Sequence, residues 1–210
     1  FFVLLFSFAT LDVQKFQAVA QSMSGSLGVL DSGMTVSMEP LVNTFPSDMP
    51  IEEEEEFSRL YEEISEYVRE NNLANSITIF LDERGLLVRF LDNVFFDSGK
   101  ADLKPEAKEI ITKVAEILKK NNYSIRIEGH TDNVPMHSFR FPSNWELSTT
   151  RAVNVVRFLI EVNGLEAKRL SASGYADQHP VDSNDTPEGR QKNRRVDMVI
   201  LRSEINTTTP

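Results

Sequence analysis

The sequence predicts a small α/β sandwich, a mixed sheet packed against helices, over residues 73–202. Three observations lead there. Short runs of alternating apolar residues recur between two long stretches of helical periodicity, the pattern of strands and helices taken in turn. The acidity sits elsewhere: residues 1–72 carry 3 Lys and Arg against 13 Asp and Glu, which accounts for the whole net charge of −10, while residues 73–210 carry 19 of each. Hydrophobic residues make up 40% of the 210 and charged ones 26%, enough for an ordinary core, so collagen-like and wholly disordered readings fall away. The chain has no cysteine, which removes disulfide frameworks, thiolate zinc sites and cysteine nucleophiles. The negative balance also argues against general affinity for nucleic acid or anionic lipid.

The front segment is organised in four parts. Residues 1–12 open with nine uncharged, mostly apolar residues from Phe1 to Ala9. As a helix they cover about half of a ~30 Å hydrocarbon core, so the outer half of a truncated transmembrane helix is preferred to a core helix or a signal remnant. Residues 13–23 keep helical spacing, with Phe16, Val19, Ala20 and Met23 on one stripe. A connector helix and a helix lying on the membrane both suit that stripe. From 24 to 50, Gly25, Gly28, Gly33, Pro40, Pro46 and Pro50 interrupt any periodicity, the mark of a linker. Glu52–Glu56 then begin an acidic amphipathic helix over 51–72, where the helix macrodipole best tolerates carboxylates. Its apolar stripe is Phe57, Leu60, Tyr61, Ile64, Tyr67 and Val68.

In the globular unit, Ile77–Leu81 and Leu86–Phe90 flank the turn Asp82-Glu83-Arg84-Gly85 and predict a hairpin. Pro105 suits the first turn of a helix that buries Ile110, Ile111, Val114, Ile117 and Leu118. Tyr123–Ile127 is the next strand and runs into Glu128–Asp132. A helix from Trp145 to Val162 follows, then a weaker strand at 170–175, a loop containing Pro180 and Pro187, and a final strand at 196–200. With no helix after it, that final strand is expected to pair antiparallel. Residues 203–210 are expected to form a disordered tail.

The chemistry offered is sparse. No Gly-x-Ser-x-Gly elbow is present, and His130, His137 and His179 match no common metal spacing, so neither an enzyme, a metal site nor a cofactor is read here. The basic stretch Arg190–Arg195 lacks interleaved aromatic residues, and local capping or pairing with carboxylates explains it better than nucleic acid. Binding of a small zwitterion fits more closely. Asp132 lies just past a strand's C-terminal end and can accept an ammonium. Arg151, one helical turn from Leu147 and beside Ser148, can offer a planar fork to a carboxylate. A structural Asp132–Arg151 salt bridge is the competing account.

Four motifs, Val94–Leu103, Gly129-His130-Thr131-Asp132, Leu147–Ala152 and Gly189–Asp197, resemble in order those of OmpA-like peptidoglycan-binding domains. The long spacer between Thr131-Asp132 and Leu147-Ser148, with the apolar start, short helix and linker, further resembles the MotB family of flagellar motor stator proteins. That resemblance implies an OmpA-C-like fold and a non-enzymatic wall anchor. Asp132 and Arg151 would hold the zwitterionic centre of diaminopimelate in the stem peptide, with Thr131, Leu147, Ser148 and Asn193 as neighbouring contacts. It also implies a B-subunit homodimer within a ring of A subunits and rotor contact only through the A subunit. The protein would be a single-pass inner-membrane protein with its C-terminal domain facing the wall. Residues 13–23, through Phe16, Val19, Ala20 and Met23, would be a plug on ion flow. Asp12, at the outer exit of the span, does not match the family's ion carrier. Another single-span, wall-anchored protein with no motor role is the alternative.

Overall fold

The computed structural model describes residues 50–203. The expected half-span at 1–12, plug at 13–23, nearly all of the linker and the tail from 204 lie outside the described residues. Helix α1 (Ile51–Glu70) places Glu52, Glu53 and Glu54 in its first turn, and its stripe of Phe57, Leu60, Ile64 and Val68 is buried. Strands β1 (Ile77–Asp82) and β2 (Gly85–Leu91) form the expected hairpin, in register from Ile77 opposite Phe90 to Asp82 opposite Gly85. A single turn, α2 (Asp92–Phe95), leads to α3 (Pro105–Leu118), which carries its proline in the first turn. Strand β3 (Ile125–His130) precedes α4 (Asn144–Glu161), whose N-cap Ser143 accepts a hydrogen bond from the Trp145 amide.

A 3-10 turn at Ala167–Arg169 enters β4 (Leu170–Gly174), and a short α5 (Pro187–Asn193) precedes β5 (Arg195–Leu201). Helix α5 replaces part of the expected loop. Thr186 caps it through the Gly189 amide and Pro187 fills its first turn.

The five strands lie in the order β1-β2-β5-β3-β4. β3 and β4 are parallel, joined across α4, and every other pair is antiparallel. The final strand thus pairs antiparallel on both sides and occupies the centre of the sheet. Register sorts the side chains. Ile77, Leu86, Val88, Phe90, Ile125, Ile127, Val196, Met198 and Ile200 face one way and share a core with the buried stripes of α1, α3 and α4. Across the sheet run Arg89, Glu128, His130, Arg195 and Asp197. Arg89 and Arg195 both donate to Asp197, and Arg84 donates to Glu128. The carboxylates of that face are thus paired with guanidinium groups, while both ring nitrogens of His130 lack a hydrogen-bond partner.

Two glycines set the approach of α4. Gly129 and Gly174 are register partners on β3 and β4, and a methyl group on either would overlap the α4 backbone at Ser148 or Thr149. Their bare surfaces let the first turns of α4 rest directly on the sheet beside the C-terminal end of β3.

Candidate functional site

At that end of the sheet lies a cleft of about 520 Å3. Thr131, Asp132 and Val134 enter it from the end of β3, and Leu147 and Arg151 from α4. Asp92, Phe96 and Lys104 come from the stretch around α2, and Arg190, Gln191 and Arg194 from the α5 region.

Arg151 is held on four sides. Its Nε donates to the Lys100 carbonyl at 2.8 Å, its Nη1 lies 2.7 Å from Asp92 Oδ1, and its guanidinium sits 4.8 Å from the centre of the Phe96 ring. The remaining nitrogen, Nη2, makes only a 3.5 Å bond to the Asp97 carbonyl, at the limit of hydrogen-bond length. Asn154, one turn further along α4, donates to the Ala101 carbonyl, so the helix grips this loop at two points. The Arg151 residue is 2% exposed, and burial lowers its pKa against the opposing pull of Asp92. Asp92 is buried too. Desolvation pushes its carboxyl up to about 6 although Arg151 and Arg194 pull it down. The Asp92–Arg151 contact is close enough for an ion pair but off the line of a hydrogen bond, because Oδ1 has no partner in bonding geometry.

Asp132 is 6% exposed. Its Oδ1 accepts from the Val134 amide at 3.1 Å, which closes a tight turn, and its Oδ2 accepts from Arg194 Nη1 at 2.5 Å. The side chain of Arg194 remains 39% exposed. Asp132 and Arg151 therefore do not pair with each other; each holds a different partner, and the two face one cleft. The arrangement sets an acceptor capped by a partly solvated arginine beside a deeply seated guanidinium with one loosely bonded nitrogen.

Of the other residues singled out from the sequence, Thr131 and Leu147 line the cleft. Ser148 and Asn193 stand behind it. Ser148 Oγ donates to the Trp145 carbonyl and accepts from the Ala176 amide, which ties α4 to the chain after β4. Asn193 Oδ1 accepts from the amides of Val181 and Asp182, and its Nδ2 donates to the Asp182 carbonyl and to Asn184. All of its bonding capacity goes into the loop before α5. Phe16, Val19, Ala20 and Met23 lie outside the described residues.

Sequence reasoning missed Asp92 and Arg194. The charged stretch Arg190–Arg195 was the available signal for Arg194: Lys192 meets Asp182 and Arg195 meets Asp197 nearby in sequence, whereas Arg194 reaches a distant segment at Asp132. Nothing in the sequence marked Asp92.

Two other places gather polar groups outside the cleft. Glu128, His130 and Asp197 bring ligand-type atoms within 4.8 Å of one another on the far face of the sheet. Burial raises the Asp197 carboxyl, but Arg89 and Arg195 outweigh it and hold the pKa low, while burial and then Arg195 push His130 down to about 3. The carboxylates already have guanidinium partners, so a further cation there would meet arginine charge. A larger hollow of about 720 Å3 lies between α1 and the start of β3. Lys120 pairs with Glu63 and Tyr123 with Glu56 across it, the seam of a packed helix without a convergent ligand set. Among the described residues no helix is long and apolar enough to cross a membrane.

Comparison with known proteins matches residues 95–194 to the OmpA family. Motility protein B of Bacillus subtilis (strain 168) is 34% identical over 222 residues, covering 95% of this chain and 84% of that protein. A MotB-like protein from Desulfovibrio vulgaris superposes with a TM-score of 0.66 at 32% identity, covering 72% of this chain and 98% of that one. The cell wall anchor of the T6SS from Pseudomonas aeruginosa gives 0.61 at 29% identity, covering 67% and 97%.

Proposed function

The chain belongs to the motility protein B family, with an OmpA-family domain over residues 95–194, and from that membership we propose that it anchors an ion-conducting flagellar stator to peptidoglycan. The observation that carries the reading is the split pairing in the cleft: Asp132 and Arg151 face the same space without neutralising each other. A diaminopimelate centre presents an ammonium and a carboxylate on one carbon. The ammonium takes the place of Arg194 on Asp132 Oδ2. The carboxylate settles on Arg151 Nη2 and on the displaced Arg194, whose exposed side chain has room to swing. No bond is made or broken, so the domain acts as an anchor and not a catalyst.

Co-sedimentation of the purified chain with wall sacculi tests this. Asp132→Asn keeps the side chain's size and removes its charge, and is expected to weaken binding by about 10–150-fold, the loss of one charged hydrogen bond of ~1.5–3 kcal/mol. Unchanged sedimentation of a folded Asp132→Asn protein rejects the site.

In the same reading, the protein is a homodimer within a ring of A subunits in the inner membrane, with its C-terminal domain on the wall side. Residues 13–23 plug the ion path until the wall is engaged. Replacing Phe16 and Val19 with Asp in the full protein, made with its A partner, should raise ion leak and slow growth; wild-type cytoplasmic pH and growth would reduce this helix to a connector. The likeness to the T6SS anchor favours a second reading, a wall anchor without a motor. Restoration of swimming in a strain lacking its stator B subunit separates the two.

A further inference from the structure

We propose that the stretch over residues 133–145, a loop leading into α4, forms a second subsite that stacks against the sugar rings of the glycan strand, through Phe139. The proposal rests on the reading of the cleft given above. Among the described residues seven large apolar side chains are exposed, and three of them, Val134, Phe139 and Trp145, fall within this short stretch. Phe139 is wholly exposed, an arrangement that costs a fold and contributes nothing to its core.

The tip is nevertheless firmly built. The Phe141 amide donates to Ser138 Oγ at 2.9 Å and the Ser138 amide to the Phe141 carbonyl at 3.0 Å, closing a turn that projects Phe139. Arg140 makes two bonds to Asp102, at 2.9 and 3.2 Å, and lies over the Phe141 ring. Phe141 in turn is buried with Ala101, Leu147 and Met136, and the last two are walls of the cleft. Phe139 is thus at most ~7 Å of backbone from a residue packed behind the cleft wall.

The occupant follows from covalent chemistry. A stem peptide seated on Asp132 and Arg151 is bonded to a sugar, which must leave the cleft across its rim. Sugar rings offer C–H faces that suit an aromatic ring, and hydroxyls that suit a charged pair. Arg140, next in sequence to Phe139, and its partner Asp102 are both largely exposed.

The test uses the purified chain and two probes in calorimetry: a disaccharide tetrapeptide containing diaminopimelate, and the same tetrapeptide after amidase has removed the sugar. Wild type should bind the sugar-bearing probe about three- to tenfold tighter, the size of one aromatic stacking contact. Phe139→Ala should shrink that advantage and leave affinity for the bare peptide unchanged, and Phe139→Trp should retain it. Equal affinity of wild type for the two probes overturns the subsite while leaving the cleft intact. So does a sugar advantage that survives Phe139→Ala, including the case in which that change instead disrupts self-association in sedimentation velocity. Bare-peptide binding that is absent, or insensitive to Asp132→Asn, overturns the cleft and the subsite together.

Discussion

Arg151→Ala is expected to destabilise the domain in a pH-dependent way, because of the carboxyl it leaves behind. The substitution deletes a bond to the Lys100 carbonyl and the cation 2.7 Å from buried Asp92. In the intact protein the Asp92 carboxyl is raised from 3.8 to about 6 by burial, with Arg151 the strongest opposing influence. A raised folded pKa means that the stability tied to this group is fully present below about 3.8 and is lost as pH rises through about 6. Without Arg151 the folded pKa climbs further, and the variant keeps losing stability above the pH at which wild type levels off. At pH 5.5 Asp92 is mostly protonated in both proteins, and the difference reduces to the lost contacts of the guanidinium, of which the charged hydrogen bond to Lys100 contributes ~1.5–3 kcal/mol. Above about pH 6 the gap widens by ~1.4 kcal/mol per pH unit until the variant's own pKa is reached. Urea denaturation at pH 5.5 and pH 8 reads both values. Adding Asp92→Asn to the variant should abolish the widening. An equal loss at the two pH values, or a widening that survives Asp92→Asn, refutes the reasoning.

Asn193→Ala should lower stability by about 1–2 kcal/mol, since it removes the buried side chain that holds the amides of Val181 and Asp182, in a loop whose own surface is largely exposed. An unchanged urea midpoint counts against this supporting role. Gly129→Ala should cost about 1–3 kcal/mol or more, because its methyl group meets the Ser148 carbonyl and must push α4 off the sheet. Thermal melting together with sacculus binding checks it, and a variant as stable and as tightly bound as wild type would show that α4 has slack.

Strands with clean alternation were legible because one face meets helices and each register position follows from the period of two. The final strand's antiparallel pairing was also accessible, from the lack of a helix behind it. Its central place was not, since strand order depends on contacts between distant segments. Helix α5 was readable in principle: Thr186-Pro187-Glu188 carries a cap, a first-turn proline and an early acid, but two prolines close together suggested a loop.

The sequence singled out Asp132 and Arg151, which the structure brings to one cleft, but not their partners. Arg194 lies 62 positions from Asp132, and Asp92 sits at the end of a strand that looked complete without it. Such pairings are decided by which loops the sheet brings together. The same holds for Ser148 and Asn193. The family resemblance implied ligand contact for both, and the structure shows them bonded to backbone groups of the neighbouring loops.

Strand β5 lies in the middle of the sheet yet comes last in order among the described strands. Until residues 195–201 arrive, the hairpin of β1 and β2 and the unit of β3, α4 and β4 share no backbone ladder, and neither half can close the sheet. During synthesis the domain is therefore held open to its final stretch, and cooperative collapse waits for a single late insertion. For a protein that on the proposed reading crosses a membrane before it folds, this order keeps the sheet from closing until residues 195–201 have followed the rest across.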